Sequence, residues 1–200
     1  MHKFDKYFSR LIIYPIFPIL FFLTFWWTSV AFTKINLIII VSALSGLTIG
    51  ILADILFASK ITNKFYDLNY IYLILIVLFY NIGIFGFFMG FPVFNIIPGI
   101  LSGIYLARKE IVGKIKYKWE NLKTYQLINT FILFLICFTS AFIALVDPYT
   151  SESIEEMFNL QFEISSFILY IIIIIGGVFL VLIQYFGTFL IYKLFKNRRI

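Results

Sequence analysis

Long apolar runs, separated by short polar segments, constrain this 200-residue chain more than any other feature. A helix needs about 20 apolar residues to cross the hydrocarbon core of a bilayer. The composition agrees with such helices, because 62% of the residues are hydrophobic and only 13% are charged. We therefore predict an all-α polytopic membrane bundle that forms a single transmembrane domain over residues 1–200. Its six predicted spans are approximately 11–31, 35–58, 70–89, 92–107, 125–146 and 164–192.

The distribution of basic residues predicts how these spans are oriented. Six alternating crossings place three, two, six and four Lys or Arg residues in the N-tail, the 59–69 loop, the 108–123 segment and the C-tail, all on one side. Lys34 falls on the other side, where the 147–163 segment is acidic. Because basic segments stay in the cytoplasm, we predict cytoplasmic termini and a protein integral to the cell membrane. We expect the basic segments to bind anionic lipid headgroups and not nucleic acid.

Two of the predicted spans allow a second interpretation. The fourth span is short, and its 16 residues rise only about 24 Å. A re-entrant loop at 92–107 would move the basic 108–123 segment to the outer side, so a crossing is favoured. In the first span, Ser29–Ala31 has the small-x-small pattern of a signal-peptide cleavage site. Its apolar region is too long for a signal peptide and includes the bulky Trp26–Trp27 pair, which favours a permanent first helix.

Two segments between the spans have amphipathic patterns. In 108–123, apolar residues recur at helical spacing among lysines, which predicts either a helix on the inner membrane surface or an ordinary loop. In 151–163, Ser153 and Glu156 have the spacing of a capping box. This second segment is expected to be either a short helix on the outer surface or the beginning of an overlong sixth span.

The second span contains the strongest internal pattern, a face of small or acidic residues at four-residue spacing. This face consists of Ser42, Gly46, Gly50, Asp54 and Ala58. Small residues at this spacing let another backbone approach closely. Asp54 is the only acidic residue within a predicted span, and a carboxylate at membrane depth usually faces a bundle interior or a water-filled cavity. It either has a functional role, such as proton or cation coupling, or simply reaches cytoplasmic water or pairs with Lys60 or Lys64.

A second pattern connects the third and fourth spans. Pro98 leaves the carbonyl of residue 94 without its helical hydrogen bond, and Asn95 is near enough in sequence to satisfy that carbonyl. Asn81 and Gln184 are polar residues deep in the third and sixth spans, although neither identifies a ligand. Two pairs of glycines are spaced four residues apart, which permits close helix packing, and they are Gly86 with Gly90 and Gly99 with Gly103. A binding site and simple packing are both consistent with this pattern, and both place spans two, three and four at the centre of the bundle.

Residue types that support catalysis are scarce in the chain. His2 is the only histidine and lies at the N-terminus, which removes histidine-based metal sites and general bases from the predicted bundle. Cys137 is the only cysteine and lies in an apolar run, so we expect an unreactive thiol and no internal disulfide. No cofactor-binding motif is visible in the sequence. The sequence therefore predicts that the protein is not an enzyme and has no metal or cofactor site.

Two function classes remain for a protein of this kind. The first is a small-solute or ion transport component, whose site near spans two to four would contain Asp54, Asn81, Asn95, Pro98 and Gly99. The second is a non-catalytic scaffold or assembly subunit, whose glycine faces would bind a second copy of the chain or a larger membrane complex. A cavity lined by the acid and the two asparagines would favour transport, and an exposed glycine-rich groove on a solid core would favour assembly.

Overall fold

The computed structural model describes residues 2–87, 92–114 and 119–197, apart from the side chains of 119–121, 157 and 158. Within these ranges the chain is helical and has no β-strand. The α-helices are α1 (Lys3–Ile13), α2 (Ile16–Phe32), α3 (Asn36–Ala53), α4 (Ser59–Asn63), α5 (Tyr70–Phe87), α6 (Ile97–Ile111), α7 (Trp119–Val146), α8 (Thr150–Phe158) and α9 (Ser166–Asn197). A π-helical turn, Asp54–Ala58, joins α3 to α4, and 3-10 helices occupy Phe65–Asp67 and Pro92–Ile96.

Five helical stretches in the described part of the chain are long and apolar enough to cross a membrane. They are Lys3–Phe32, Asn36–Asn63, Tyr70–Phe87, Leu122–Val146 and Ser166–Asn197. The predicted all-α class and its membrane-length helices are therefore confirmed. These stretches correspond to the first, second, third, fifth and sixth predicted spans. The fourth predicted span contains α6, which has 15 residues and is shorter than the other five.

Contacts between helices divide the chain into two compact units, Met1–Asn69 and Tyr70–Ile200. In the first unit, α2 and α3 pack side by side along the small-residue face of α3. The Ser42 hydroxyl donates to the Phe25 carbonyl at 3.1 Å. Gly46 lies against Phe21 and Phe25, and a Cβ on Gly50 would come within 2.5 Å of the Pro18 Cα. The sequence predicted that this face lets another backbone approach closely, and in the structure the approaching helix is α2.

Before α2, the chain forms a separate amphipathic helix in a region that the sequence pattern indicated only as a basic tail. Pro15 lacks an amide hydrogen and is the N-cap of α2, so α1 ends at Ile13. One face of α1 is buried, and it consists of Asp5, Phe8, Ser9, Ile12 and Ile13. The Asp5 carboxylate is fully buried and accepts a hydrogen bond from the Tyr66 hydroxyl at 3.0 Å. This contact holds α1 against the segment that follows α4.

In the second unit, α6 and α9 run parallel to each other. Gly99 lies against Gln184, and Gly103 lies against Thr188 and Tyr192. Near the ends of both helices, Glu110 forms a 2.9 Å salt bridge with Lys196 and accepts a 2.6 Å hydrogen bond from the Tyr192 hydroxyl. The apolar core between these helices and the start of α7 contains Leu106, Ala107, Leu122 and Tyr192. These contacts bring the basic C-terminal turns of α6 and α9 to the same end of the unit.

The two predicted surface helices differ from what is observed. Residues 108–111 belong to α6 and residues 119–123 belong to α7, so no separate helix covers 108–123 in the described residues, and 115–118 lie outside them. A short helix is present at α8, and it is distinct from α9, which excludes an overlong sixth helix. The Ser153 capping box is wrong, because α8 begins at Thr150 with Tyr149 as its N-cap. Asn159, in a left-handed conformation, ends the helix.

Candidate functional site: a buried amide cluster

The second unit contains a set of buried, uncharged polar side chains on several of its elements. We call this set the amide cluster, and it consists of Asn81, Asn95, Ser102, Gln126, Asn129, Thr130, Gln184 and Thr188. Its members come from α5, the 3-10 helix before α6, and helices α6, α7 and α9. Buried polar groups normally have hydrogen-bond partners, but in this cluster some polar atoms have a partner and others do not.

One part of the cluster joins α5 to the 3-10 helix. The Asn95 amide nitrogen donates to the Asn81 backbone carbonyl at 2.7 Å and to its side-chain oxygen at 3.1 Å. The Asn81 amide nitrogen in turn donates to the Val77 carbonyl at 2.9 Å. The prediction that Asn95 satisfies the carbonyl of residue 94 is therefore wrong, since its amide donates across to α5. Sequence reasoning selected both asparagines, and the structure brings them together.

A second part joins α6, α7 and α9. The Ser102 hydroxyl lies 2.8 Å from the Pro98 carbonyl and 3.2 Å from the Asn129 side-chain oxygen. The Gln126 amide nitrogen donates to the Tyr185 carbonyl at 3.1 Å. These bonds join the three helices near the beginning of α6. Pro98 contributes its carbonyl to this network, and the 3-10 helix Pro92–Ile96 continues directly into α6.

Gln184 occupies the position where α6 and α9 come closest. Its side chain is 1% exposed and lies directly against Gly99, where a Cβ would overlap the side-chain amide. The neighbouring Thr188 hydroxyl lies 3.2 Å from the Gly99 carbonyl and 2.8 Å from the Gln184 carbonyl. Only glycine leaves room for the amide at residue 99. The Gln184 amide itself has no hydrogen-bond partner at either its oxygen or its nitrogen.

Several other polar atoms of the cluster are also buried without a hydrogen bond. They are Asn95 Oδ1, Gln126 Oε1 and Thr130 Oγ1. The amide orientations of Asn95 and Gln126 are fixed, because in each case the nitrogen must face a carbonyl oxygen. The unpaired atoms of these two residues are therefore acceptors, whereas Gln184 offers an unpaired acceptor and an unpaired NH₂ donor. An unsatisfied buried polar group costs about 1–3 kcal/mol, so a bound molecule that satisfies any of these atoms would lower the free energy.

Asp54 belongs to the first unit and is 7% exposed. Its Oδ1 atom has no hydrogen-bond partner. No salt bridge joins Asp54 to Lys60 or Lys64, all of which are among the described residues, so the predicted structural pairing is wrong. Asp54 begins the π-helical turn, and turns of this kind occur often at functional sites.

The remaining predicted site residues have different surroundings. Gly99 and Gly103 lie in the α6–α9 contact, whereas a Cβ on Gly86 would meet nothing within 4 Å. Gly90 lies outside the described residues. The sequence patterns included Ser102 and Gln184 without assigning them to the site, and they did not indicate Gln126, Asn129, Thr130 or Thr188. A usable signal was present, because Gln126 and Thr130, and also Gln184 and Thr188, are polar pairs four residues apart within apolar spans.

The cluster contains no carboxylate, thiol or imidazole group. Among the described residues, no set of three or more His, Cys, Asp or Glu side chains is placed to hold a metal ion. The chemistry available to the cluster is hydrogen bonding by neutral amides and hydroxyls. No protein-family model, curated protein or solved structure matches this chain.

Proposed function

We propose that the protein is a transport component that binds a small solute or ion in the amide cluster of its second unit. The observation that carries this proposal is the unpaired Gln184 amide, which is buried against Gly99 in the first turn of α6. Polar residues inside a membrane bundle are costly and commonly mark substrate pathways.

The depth of Gln184 supports this assignment. Gln184 precedes Lys196 by twelve residues, which is about 18 Å along α9. The hydrocarbon core is about 30 Å thick, so a basic C-terminal turn at the membrane surface places Gln184 near the middle of the bilayer. Transporters often bind substrate near the midplane. At this depth the 3-10 helix Pro92–Ile96 continues into α6, and Pro98 lies in the first turn of α6.

We further propose six crossings with both termini in the cytoplasm. The 3-10 helix Pro92–Ile96 and α6 together rise about 32 Å, enough for the fourth crossing. Because α6 runs parallel to α9, Arg108 and Lys109 lie at the same end as Lys196. This arrangement agrees with the positive-inside bias for the cell membrane. The basic segments at that end would then contact anionic lipid headgroups.

A flux assay with matched variants tests the transport proposal. Purified protein in liposomes is offered a panel of small polar solutes and ions, and the flux of each is compared with protein-free liposomes. Gln184→Leu and Gly99→Ala should each lower the transported flux about tenfold, equivalent to roughly 1.4 kcal/mol of lost interaction. Gly187→Ala is the control, because a Cβ there meets nothing within 4 Å. Equal flux in all four proteins would rule out a role for the cluster in transport.

The surroundings of Asp54 support a second candidate site, which lies in the first unit and would bind an ion. The supporting observation is its buried, unpaired Oδ1 atom, together with the absence of a salt bridge to either nearby lysine. If an ion coupled to transport binds there, Asp54→Asn should abolish the ion dependence of flux while the protein remains folded. Unchanged ion dependence would leave the amide cluster as the transport site.

The assembly alternative is favoured by a different observation. A Cβ added at Gly176 or Gly177 of α9 would meet nothing within 4 Å, unlike one added at Gly99 or Gly103. Open glycines on an apolar helix permit close packing with a second copy or another membrane protein. Crosslinking in native membranes distinguishes a transport component from an assembly subunit. A specific crosslinked partner that is lost in Gly177→Leu, together with no flux for the wild type, would support an assembly subunit.

A further inference from the structure

The amide cluster offers both donors and acceptors and contains no charge, which constrains what it binds. The unpaired acceptors are Asn95 Oδ1, Gln126 Oε1 and Gln184 Oε1, and the unpaired donors are the Gln184 NH₂ group and the Thr130 hydroxyl, which is also an acceptor. A molecule that satisfies the Gln184 amide must both accept and donate hydrogen bonds. A bare ion can do only one of these.

A cation is disfavoured by the groups around the cluster. The charged residues nearest to it along its helices are all basic, namely Lys123 on α7, Arg108 on α6 and Lys193 on α9. The partially positive N-terminus of α6 also lies at the cluster, since Gly99 is in its first turn. A cation here would leave the Gln184 NH₂ group unsatisfied and would find no carboxylate among the residues of the cluster.

An anion is disfavoured by the excess of free acceptors. Two of the unpaired oxygens, on Asn95 and Gln126, cannot become donors by rotation of their amides, because the nitrogens are held by carbonyl groups. Their lone pairs would repel an anion and would remain unsatisfied beside it. Burying an uncompensated charge at membrane depth costs far more than burying a neutral polar molecule.

We propose that the amide cluster binds a small uncharged solute with both hydroxyl or amide donors and oxygen acceptors, of the polyol or urea type. This inference rests on the proposed transport function and narrows its substrate class. Gln184 is the central residue, because it supplies both a donor and an acceptor from one buried side chain. Gly99 sets the specificity by leaving room for that amide beside the α6 backbone.

The test compares neutral and charged probes in the same proteoliposomes. Glycerol and urea permeation are measured by stopped-flow light scattering after an osmotic step, and ⁸⁶Rb⁺ and chloride fluxes are measured on the same preparation. Wild type should raise glycerol or urea permeation above that of protein-free liposomes. Gln184→Leu and Gly99→Ala should reduce that increment about tenfold, whereas Gly187→Ala should keep it. Rubidium and chloride fluxes should equal those of protein-free liposomes.

Each other outcome has a definite meaning. A rubidium or chloride flux that depends on Gln184, without glycerol or urea permeation, would overturn the neutral-solute inference and leave the transport function standing. Raised water permeability without glycerol or urea permeation would overturn the inference as well. No flux of any probe would remove the transport function itself. Circular dichroism and gel filtration of each variant show whether the protein is folded, so a misfolded variant is replaced by Gln184→Met.

Discussion

At the scale of single residues, replacing a hydrogen-bonded group of the amide cluster and replacing an unpaired one should change the protein's stability in opposite directions. Gln184→Leu removes an amide with no partner, so the variant should be more stable than wild type by about 1 kcal/mol. Thr188→Val removes the hydroxyl that bonds Gly99 and should be less stable by about 1 kcal/mol. Unfolding in mixed detergent micelles measures both. A loss of stability in Gln184→Leu would show that the amide has a structural role.

Because Asp54 forms no salt bridge with Lys60 or Lys64, we expect no energetic coupling between Asp54 and either lysine. In a double-mutant cycle of Asp54→Asn and Lys60→Gln, the interaction free energy should be below about 0.5 kcal/mol, because no salt bridge connects the two side chains. The same cycle with Lys64→Gln should give a similarly small value. A coupling above about 1 kcal/mol would contradict the described position of the carboxylate.

The Asp5–Tyr66 hydrogen bond should be measurable on its own. Tyr66→Phe removes the hydroxyl that donates to the fully buried carboxylate, so unfolding should become easier by about 1–3 kcal/mol. Tyr72→Phe is the matched control, because that tyrosine is exposed. Equal stability of the two variants would indicate that α1 is not held by this contact.

At the scale of helices, the α6–α9 contact depends on glycine. A Cβ on Gly103 would lie 2.7 Å from the Thr188 carbonyl oxygen, so Gly103→Ala forces the two backbones apart. The expected loss is roughly 1–3 kcal/mol of unfolding free energy. Gly177→Ala, on the open part of α9, should instead be neutral or slightly stabilising. Equal effects of the two substitutions would argue against close packing at Gly103.

The sequence predicted the helices far better than their partners. Hydropathy and spacing located the long helices and both asparagines, because apolar length and helical period are local properties. The partner of the Gly46–Gly50 face could not be predicted, since small residues permit close approach without specifying which helix approaches. Gln184 and Gly99 form one contact from positions 85 residues apart, and no local pattern reports such a pairing.

At the scale of the whole molecule, the proposed topology predicts two labelling patterns. In a Cys137→Ser background, Glu152→Cys should react with a membrane-impermeant maleimide added outside intact cells. Lys114→Cys should react only after the cells are permeabilised. Both positions are exposed and described, so accessibility in the folded protein is expected. Outside labelling at residue 114 would place α6 in a re-entrant segment and refute six crossings.

The long separation between α6 and α9 also affects how the protein is made. Thr188 and Gly99 are 89 positions apart, which at about 5–20 residues per second means roughly 5–18 seconds of synthesis. During that interval α5 and the 3-10 helix can already join through their asparagines, 14 positions apart. The glycine face of α6 has no packing partner until α9 has been synthesised. If translation stops within α9, the released chain leaves Gly99 and Gly103 of α6 exposed. A chain with such an exposed face is a substrate for membrane quality control.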